Sequence, residues 1–455
     1  MNLAQSSAVL ATVCLALAQL AEANVSAGAN AAEFGELCTL VNLAEQQPDG
    51  IPAAAVATPA YRDLQRLNMS ISDESWQKLF SKNGDGKNWL DDVPQTAPPG
   101  NNWAEYWNDW RTAMEETTEP KNMETINNAG YRGLDDKSKA LLRSLLHPLA
   151  ERAHRLNKRR QQLAKKIEPV TGDKIKTKLN EIVYGDASVG PKTATTAKAL
   201  DGGTALAYSA LCSTTKAAPK ANTVAAALAC ICANDATAAE SQVCGGTVKM
   251  SNTWTVANDI ANSQLTDVLA FCPKHKLTAD VADTLIAAIR NLNKAVRRQT
   301  AAAYLGTTED GNCDGKNTGG ICIKITDWGT DSTAALTVFK WARLATELAK
   351  DVTAAQEAAA TIDTIDNAIS ETLAEALSLP KSGVVASILP TAAFTTHTNS
   401  PTDKQASDDC SKHHGKNATC PRGKCNYDEK EKKCNPIKQV EGSETTAAGA
   451  GEQTA

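Results

Sequence analysis

Apolar residues recur every three or four positions along two long stretches of the chain. The first runs from about Leu134 to Ile167 and places Leu142, Leu145, Leu149, Ala153, Leu156, Leu163 and Ile167 on one stripe. That period predicts a helix with one buried face. At a 1.5 Å rise, about 35 residues make a rod of roughly 50 Å. Arg160 interrupts the stripe, and Pro148 marks a candidate kink. The second stretch, from about Ser332 to Leu379, carries Leu336, Phe339, Leu344, Leu348, Val352, Ala355, Ala359, Ile362, Ile369 and Leu373 at helical spacing. Asp331 is a candidate cap, and Pro380 with Gly383 ends the run. Two such stripes predict an antiparallel intramolecular coiled coil that also supports a dimer. Residues 28–46 and 254–304 carry shorter helical patterns, the latter a helix or a broken pair.

Irregular blocks separate these stretches. Residues 81–102, rich in Gly, Asn, Asp and Pro, read as loop. Residues 185–250 hold Cys212, Cys230, Cys232 and Cys244 amid Ala, Thr and Gly. Thr307–Gly320 reads as a loop that contains Cys313, and the short apolar strand Ile321–Ile325 after it contains Cys322. At 393–409 Thr, Ser, Asn, Asp and Pro replace the helical pattern, which predicts a linker. Residues 410–434 form a lysine-rich module with Cys410, Cys420, Cys425 and Cys434 and almost no apolar side chains. Burial cannot hold such a unit, so cross-links must. Residues 435–455 are polar and of low complexity, and are expected to be disordered.

The N-terminus sets the compartment. Ser7–Ala21 is apolar and Ala21-Glu22-Ala23 offers small residues to a signal peptidase, so residues 1–23 are expected to leave after Ala23. Cys14 leaves with them. Cys38, Cys212, Cys230, Cys232, Cys244, Cys272, Cys313, Cys322, Cys410, Cys420, Cys425 and Cys434 remain, an even set that predicts full pairing in an oxidising compartment. His413 and His414 raise a zinc reading at the last four, but none of the spacings there is a two-residue knuckle. Disulfides are the expectation, with no metal site and no cofactor. Asn68 and Asn417 stand in sequons and are expected to carry N-linked glycan; a third sequon, at Asn24, would be the mature N-terminus. Aromatic residues are only 4% of the chain, so Ala, Leu, Ile and Val must build the core. A net charge of −5 with both signs dispersed argues against a nucleic-acid partner.

No phosphate loop, dinucleotide fingerprint, His-Glu-x-x-His pair or nucleophile elbow is present, so no catalytic residue and no enzymatic activity is expected. His147 and His154 stand seven apart, too far for one metal on a helix, and read as packing or surface residues. Asn83–Asn88 is calcium-loop-like but lacks the alternating acids and the closing Glu. The basic run Arg152, Arg155, Lys158, Arg159, Arg160, Lys165, Lys166 reads as the solvated flank of a coiled coil. Trp103, Tyr106, Trp107 and Trp110 lie on one helical face, better suited to packing or a dimer contact than to carbohydrate stacking.

The early helix carrying Ala31-Ala32-Glu33-Phe34 and Leu37-Cys38, the block Ala303-Tyr304-Leu305-Gly306, and the pair Cys313-Asp314-Gly315 and Ile321-Cys322-Ile323 resemble the class B N-terminal domain of trypanosome variant surface glycoproteins. Cys410, Cys420, Cys425-Asn426 and Glu431-Lys432-Lys433-Cys434 resemble that family's small C-terminal domain. The resemblance implies a mainly α fold: an elongated antiparallel helical hairpin or bundle (residues 24–392) with disulfide-rich loop lobes, then the linker and the stapled C-terminal domain. It further implies a homodimer held on the outer plasma membrane by a lipid (GPI) anchor, facing host antibodies and escaping them by antigenic variation. A related surface receptor for a host serum protein is the alternative. The chain ends at Gln453-Thr454-Ala455 without the hydrophobic tail of an anchor signal, so a truncated sequence is expected. The pairing expected is Cys313–Cys322, Cys38–Cys212, and the last four cysteines among themselves, although spacing does not determine connectivity.

Overall fold

The computed structural model describes residues 24–100, 102–200, 206–245, 249–277, 280–299, 301–309, 311–328, 335–382, 425–428 and 430–436. The fold is mainly α, with disulfide bonds and a small sheet. The chain divides into two units, Met1–Tyr131 with Asp135–Val385, and Arg132–Leu134 with Ala386–Ala455.

The larger unit contains helices α1 (Ala31–Glu45), α2 (Pro59–Ser70), α3 (Trp103–Thr117), α4 (Asp136–Ile167), α5 (Gly172–Tyr184), α6 (Val224–Ile231), α7 (Asn262–Ala270), α8 (Val281–Ala295) and α9 (Lys340–Ser378). Several starts are capped by side chains that take up otherwise unpaired N–H groups. Thr58 accepts from the Tyr61 N–H ahead of Pro59, Asp135 from Ser138, Thr223 from Ala226, and Asp280 from Ala282.

Helix α9 is the hub and packs against α4, α8, α5 and α2. Trp341, Leu348, Ala355, Ile362, Ile369 and Ala376 are all buried and stand seven residues apart, a heptad seam. Alanines at 342, 345, 349 and 358 are buried beside it and let neighbouring backbones approach closely. Its partner α4 runs the opposite way. Arg152 donates to Thr372 Oγ1 at 2.6 and 3.0 Å, while Arg160, farther along α4, reaches back to Asp366 at 2.6 Å.

Three details of these helices differ from the sequence reading. Leu145 is exposed and Leu146 buried, because the stripe advances through Leu142, Leu146, Leu149, Ala153 and Asn157. Pro148 lies inside one continuous helix, α4. Arg160 is not a solvated flank: it is 3% exposed, paired with Asp366 and bonded to the Ala55 carbonyl. The 254–304 pattern resolves into α7, α8 and the start of a sheet. Asp331 and Gly383 lie outside the described residues.

The sheet contains β1 (Ser213–Thr214), β2 (Arg297–Gln299), β3 (Ala302–Thr308) and β4 (Gly320–Ile325), in the order β1-β4-β3-β2. β4 runs parallel to β1 and antiparallel to β3, pairing Leu305 with Ile323 and Gly306 with Cys322. The β2 edge is exposed and carries Arg297 and Arg298, charges that discourage pairing with another strand. Gly306 has φ +97°, and a Cβ there would stand 2.7 Å from the Ile321 carbonyl oxygen, so no other residue fits this register.

A second, aromatic core gathers Met69, Phe80, Trp107 and Ala113, with Trp76, Trp89, Trp103 and Trp110 packed around it. Phe80 stacks on Trp107 at 4.7 Å and Trp76 meets Trp103 edge-on at 4.9 Å. Packing is therefore the main role of the aromatic stripe on α3.

In the smaller unit, β5 (Cys425–Asp428) pairs antiparallel with β6 (Lys433–Pro436), setting Tyr427 opposite Cys434. Asp428 accepts from the Lys430 and Glu431 N–H groups at the turn. Cys434 is disulfide-bonded. Cys410, Cys420, Asn417, the 393–409 linker and Ala23 lie outside the described residues.

Candidate functional site

Four disulfides brace one lobe of the larger unit. Cys313 joins Cys322 across the base of the β3–β4 connection. Cys232 joins Cys244 and Cys212 joins Cys230, both within the block after α5. Cys38 joins Cys272, which corrects the expected Cys38–Cys212 pair. The reason is packing. Cys38 lies on the face of α1 that meets the segment after α7, where Asn42 donates to the Pro273 carbonyl and Gln46 to the His275 carbonyl. Cys212 ends a helical turn, Tyr208–Cys212, that rests on α6 and its Cys230.

Two buried polar side chains lock the lobe. Asn30, fully buried before α1, donates to the Ile231 and Ile321 carbonyls and accepts from the Thr307 N–H, each at 2.7 Å. One amide thus ties α1, the end of α6 and both strands of the hairpin. Tyr208 Oη accepts from the Cys322 N–H at 2.8 Å and lies 2.8 and 3.0 Å from the Cys322 and Cys230 carbonyls. Burial pushes this phenol well above its ordinary value, so it remains a donor.

Backbone hydrogen bonds tie down the hairpin connection. The Glu309 N–H bonds to the Gly319 carbonyl, and the Asn317 N–H to the Ala238 carbonyl. Gly315 has φ +83° and faces the Tyr208 ring, where a Cβ would come within 2.8 Å. Among the described residues of the connection, Asn312, Asp314 and Thr318 are exposed. Asp235 pins the neighbouring turn: its carboxylate accepts from Thr237 Oγ1 at 2.6 Å and from the Thr237 and Ala238 N–H groups at 2.8 Å. Burial pulls the Asp235 carboxyl upward, but these bonds outweigh it and hold the group below its ordinary value.

A second polar group lies between α2, α3 and α4. Tyr61 donates to Asp109 at 2.5 Å and sits 3.1 Å from His154 Nδ1. Tyr106 stacks on the His154 ring at 4.0 Å. Burial and then the Asp109 charge drive the Tyr61 phenol up, so it keeps its proton and donates. The cluster is a hydrogen-bonded tie between helices. His147 is exposed.

In the Asn83–Asn88 loop, Asp85 accepts from the Lys87 and Asn88 N–H groups and from the Asn88 amide, which lower its carboxyl to about 2. Its oxygens close the turn rather than aim at a cation. Among the described residues no three His, Cys, Asp or Glu side chains converge as metal ligands, and no helix is long and apolar enough to cross a membrane. Asn68 is half-buried near the end of α2. Sequence reasoning missed Asn30, Tyr208 and Asp235. Only Asp235-Ala236-Thr237 carried a local signal, an acid two residues before a hydroxyl, as in an Asx turn.

Comparison with known proteins converges on one family. The family model described as trypanosomal VSG domain matches residues 12–371. Variant surface glycoprotein ILTAT 1.23 of Trypanosoma brucei brucei is 26% identical over 454 residues, covering 95% of this chain and 83% of that protein. Variant surface glycoprotein ILTAT 1.21 of the same organism is 22% identical over 471 residues, covering 98% of this chain and 93% of its own length.

Proposed function

This chain belongs to the trypanosomal variant surface glycoprotein family, a coat glycoprotein of the parasite surface, and from that premise we propose how it serves there. It is exported, loses residues 1–23 by cleavage after Ala23, and stands as a homodimer on the plasma membrane through a lipid anchor. The N-terminal domain, residues 24–392, faces host antibodies. The cysteine-rich domain, 410–434, follows the 393–409 linker and is stapled through Cys410, Cys420, Cys425 and Cys434. Asn68 and Asn417 carry N-linked glycan. The role is physical shielding, with antigenic variation as the means of escape, and no catalytic step.

The observation that carries this reading is the family match over 12–371, joined to a division of labour in the lobe. Gly306, Gly315, Asn30 and Tyr208 are fixed by close contacts and buried hydrogen bonds. Asp314, although exposed, accepts from the Lys316 N–H at 3.1 Å and closes a turn, whereas Asn312 and Thr318 project and can change without disturbing them. Antigenic change should therefore concentrate at the latter and spare the former.

The test is expression in a trypanosome as the sole coat protein, with an intact anchor-signal sequence at its 3′ end. Expected are dense surface staining of unpermeabilised cells, release by a phosphatidylinositol-specific phospholipase C, and antisera that lose binding on substitution of Asn312 and Thr318. Saturable capture of one serum protein would support a receptor instead. Intracellular retention of correctly folded protein would refute a coat role.

A further inference from the structure

A groove of about 740 Å³ runs between the end of α2 and the outer face of α4, lined by Asn68, Ser72, Trp76, Trp110, Arg143 and His147. Trp76 and Trp110 meet edge to face at 5.2 Å, and both keep part of their surface open to solvent. Tyr106 stacks on Trp110 at 5.0 Å and stiffens that wall. Arg143 is held in place by the Ile71 carbonyl at 3.0 Å and by Asp73 at 2.6 Å. The result is a rigid aromatic wall with a polar rim, of the size that holds a small ligand, ~300–1,000 Å³.

A pyranose has the matching chemistry. Its C–H face packs on indole, and its hydroxyls and acetamide bond to rim groups such as Ser72, Asp73 and His147. The groove also holds the attachment point for one: Asn68 of the Asn68-Met69-Ser70 sequon is among its lining residues. A glycan on Asn68 begins inside the groove, so its first sugars are present at the high effective concentration of a tethered ligand.

We infer that this groove seats the first sugars of the Asn68 glycan, which cover Trp76 and Trp110 in the mature protein. The inference rests on the glycosylation of Asn68 proposed above. The glycan then acts as a packing element of the aromatic core as well as a shield.

The experiment uses the full chain secreted from a eukaryotic host, digested under native conditions with peptide N-glycosidase, and followed site by site by glycopeptide mass spectrometry. Release from Asn68 should be about tenfold faster in Trp76→Ala and Trp110→Ala than in wild type, the ratio given by ~1.4 kcal/mol of protection. Release from Asn417 should not change. Because either variant could loosen the aromatic core, acrylamide quenching of tryptophan fluorescence is compared between the glycosylated protein and Asn68→Gln. Quenching should rise in Asn68→Gln and be independent of protein concentration. Equal release rates in variants that keep the wild-type melting temperature would overturn the inference, as would unchanged quenching. Quenching in Asn68→Gln that falls with protein concentration would assign the groove to a second copy of the chain and overturn it too. An unmodified Asn68 in native material would overturn this inference and the glycosylation proposal together, whereas an occupied but unprotected Asn68 would overturn this one alone.

Discussion

Arg160 offers the sharpest test of how the α4–α9 pair is held. Its side chain is 4% exposed, its Nε donates to Asp366 Oδ1 at 2.6 Å, and its remaining bond goes to the Ala55 carbonyl. Asp366→Ala would strand a buried guanidinium with one neutral partner. One-sided removal of a buried ion pair costs ~3–5 kcal/mol. The Asp366 side chain keeps 29% exposure, so water already shares its charge, and we expect the lower end of that range, about 3 kcal/mol. Replacing both partners, Arg160→Met with Asp366→Leu, removes the desolvation penalty along with the attraction. The double variant should lie within about 1 kcal/mol of wild type. The assay is urea denaturation followed by far-UV circular dichroism at fixed protein concentration, comparing midpoints at unchanged slope. Salt should change the single-variant effect little, because a buried pair is weakly screened. The reasoning fails if Asp366→Ala stays within about 0.5 kcal/mol of wild type, or if the double variant is as unstable as the single one.

Two further outcomes follow from the lobe. The Cys38–Cys272 bridge spans 234 residues and Cys313–Cys322 only 9, so the chain-entropy relation assigns them about 5 and about 3 kcal/mol. Removing the first pair by Cys→Ala substitution should lower the non-reducing urea midpoint more than removing the second, and the reverse order would refute the assignment. Asp235 has a depressed folded pKa, so its stabilisation is fully present above the unfolded carboxyl value of ~3.9 and is lost as pH falls through the folded value. Asp235→Asn should therefore melt below wild type at pH 7, with the gap closing towards pH 2.5; a gap that does not narrow would sink the claim.

Much of this protein was legible without a structure, and the reason is periodicity. The stripes on α4 and α9 are legible, Leu145 apart, because each helix buries one face and leaves another in water, which writes a 3.6-residue period into the chain. The antiparallel pairing, the strand at Ile321–Ile325 and the aromatic face of α3 came from the same kind of local signal. α6 escaped because Val224–Ile231 is buried on every side and has no polar face to set a period. Arg160 was misread as solvated because charge alone does not reveal that Ala55 and Asp366 come to meet it. The partner of Cys38 had the same character: a bridge across 234 residues depends on which helices pack, and no spacing encodes that. Nor does spacing encode that Asn30 bonds to residues near 231, 307 and 321, or that Asn68 opens onto Trp76 and Trp110. The sequence by itself determined the helices with a wet and a dry face. Tertiary packing alone decided the disulfide partners, the buried polar ties and the groove beside Asn68, because each depends on distances between segments far apart in the chain.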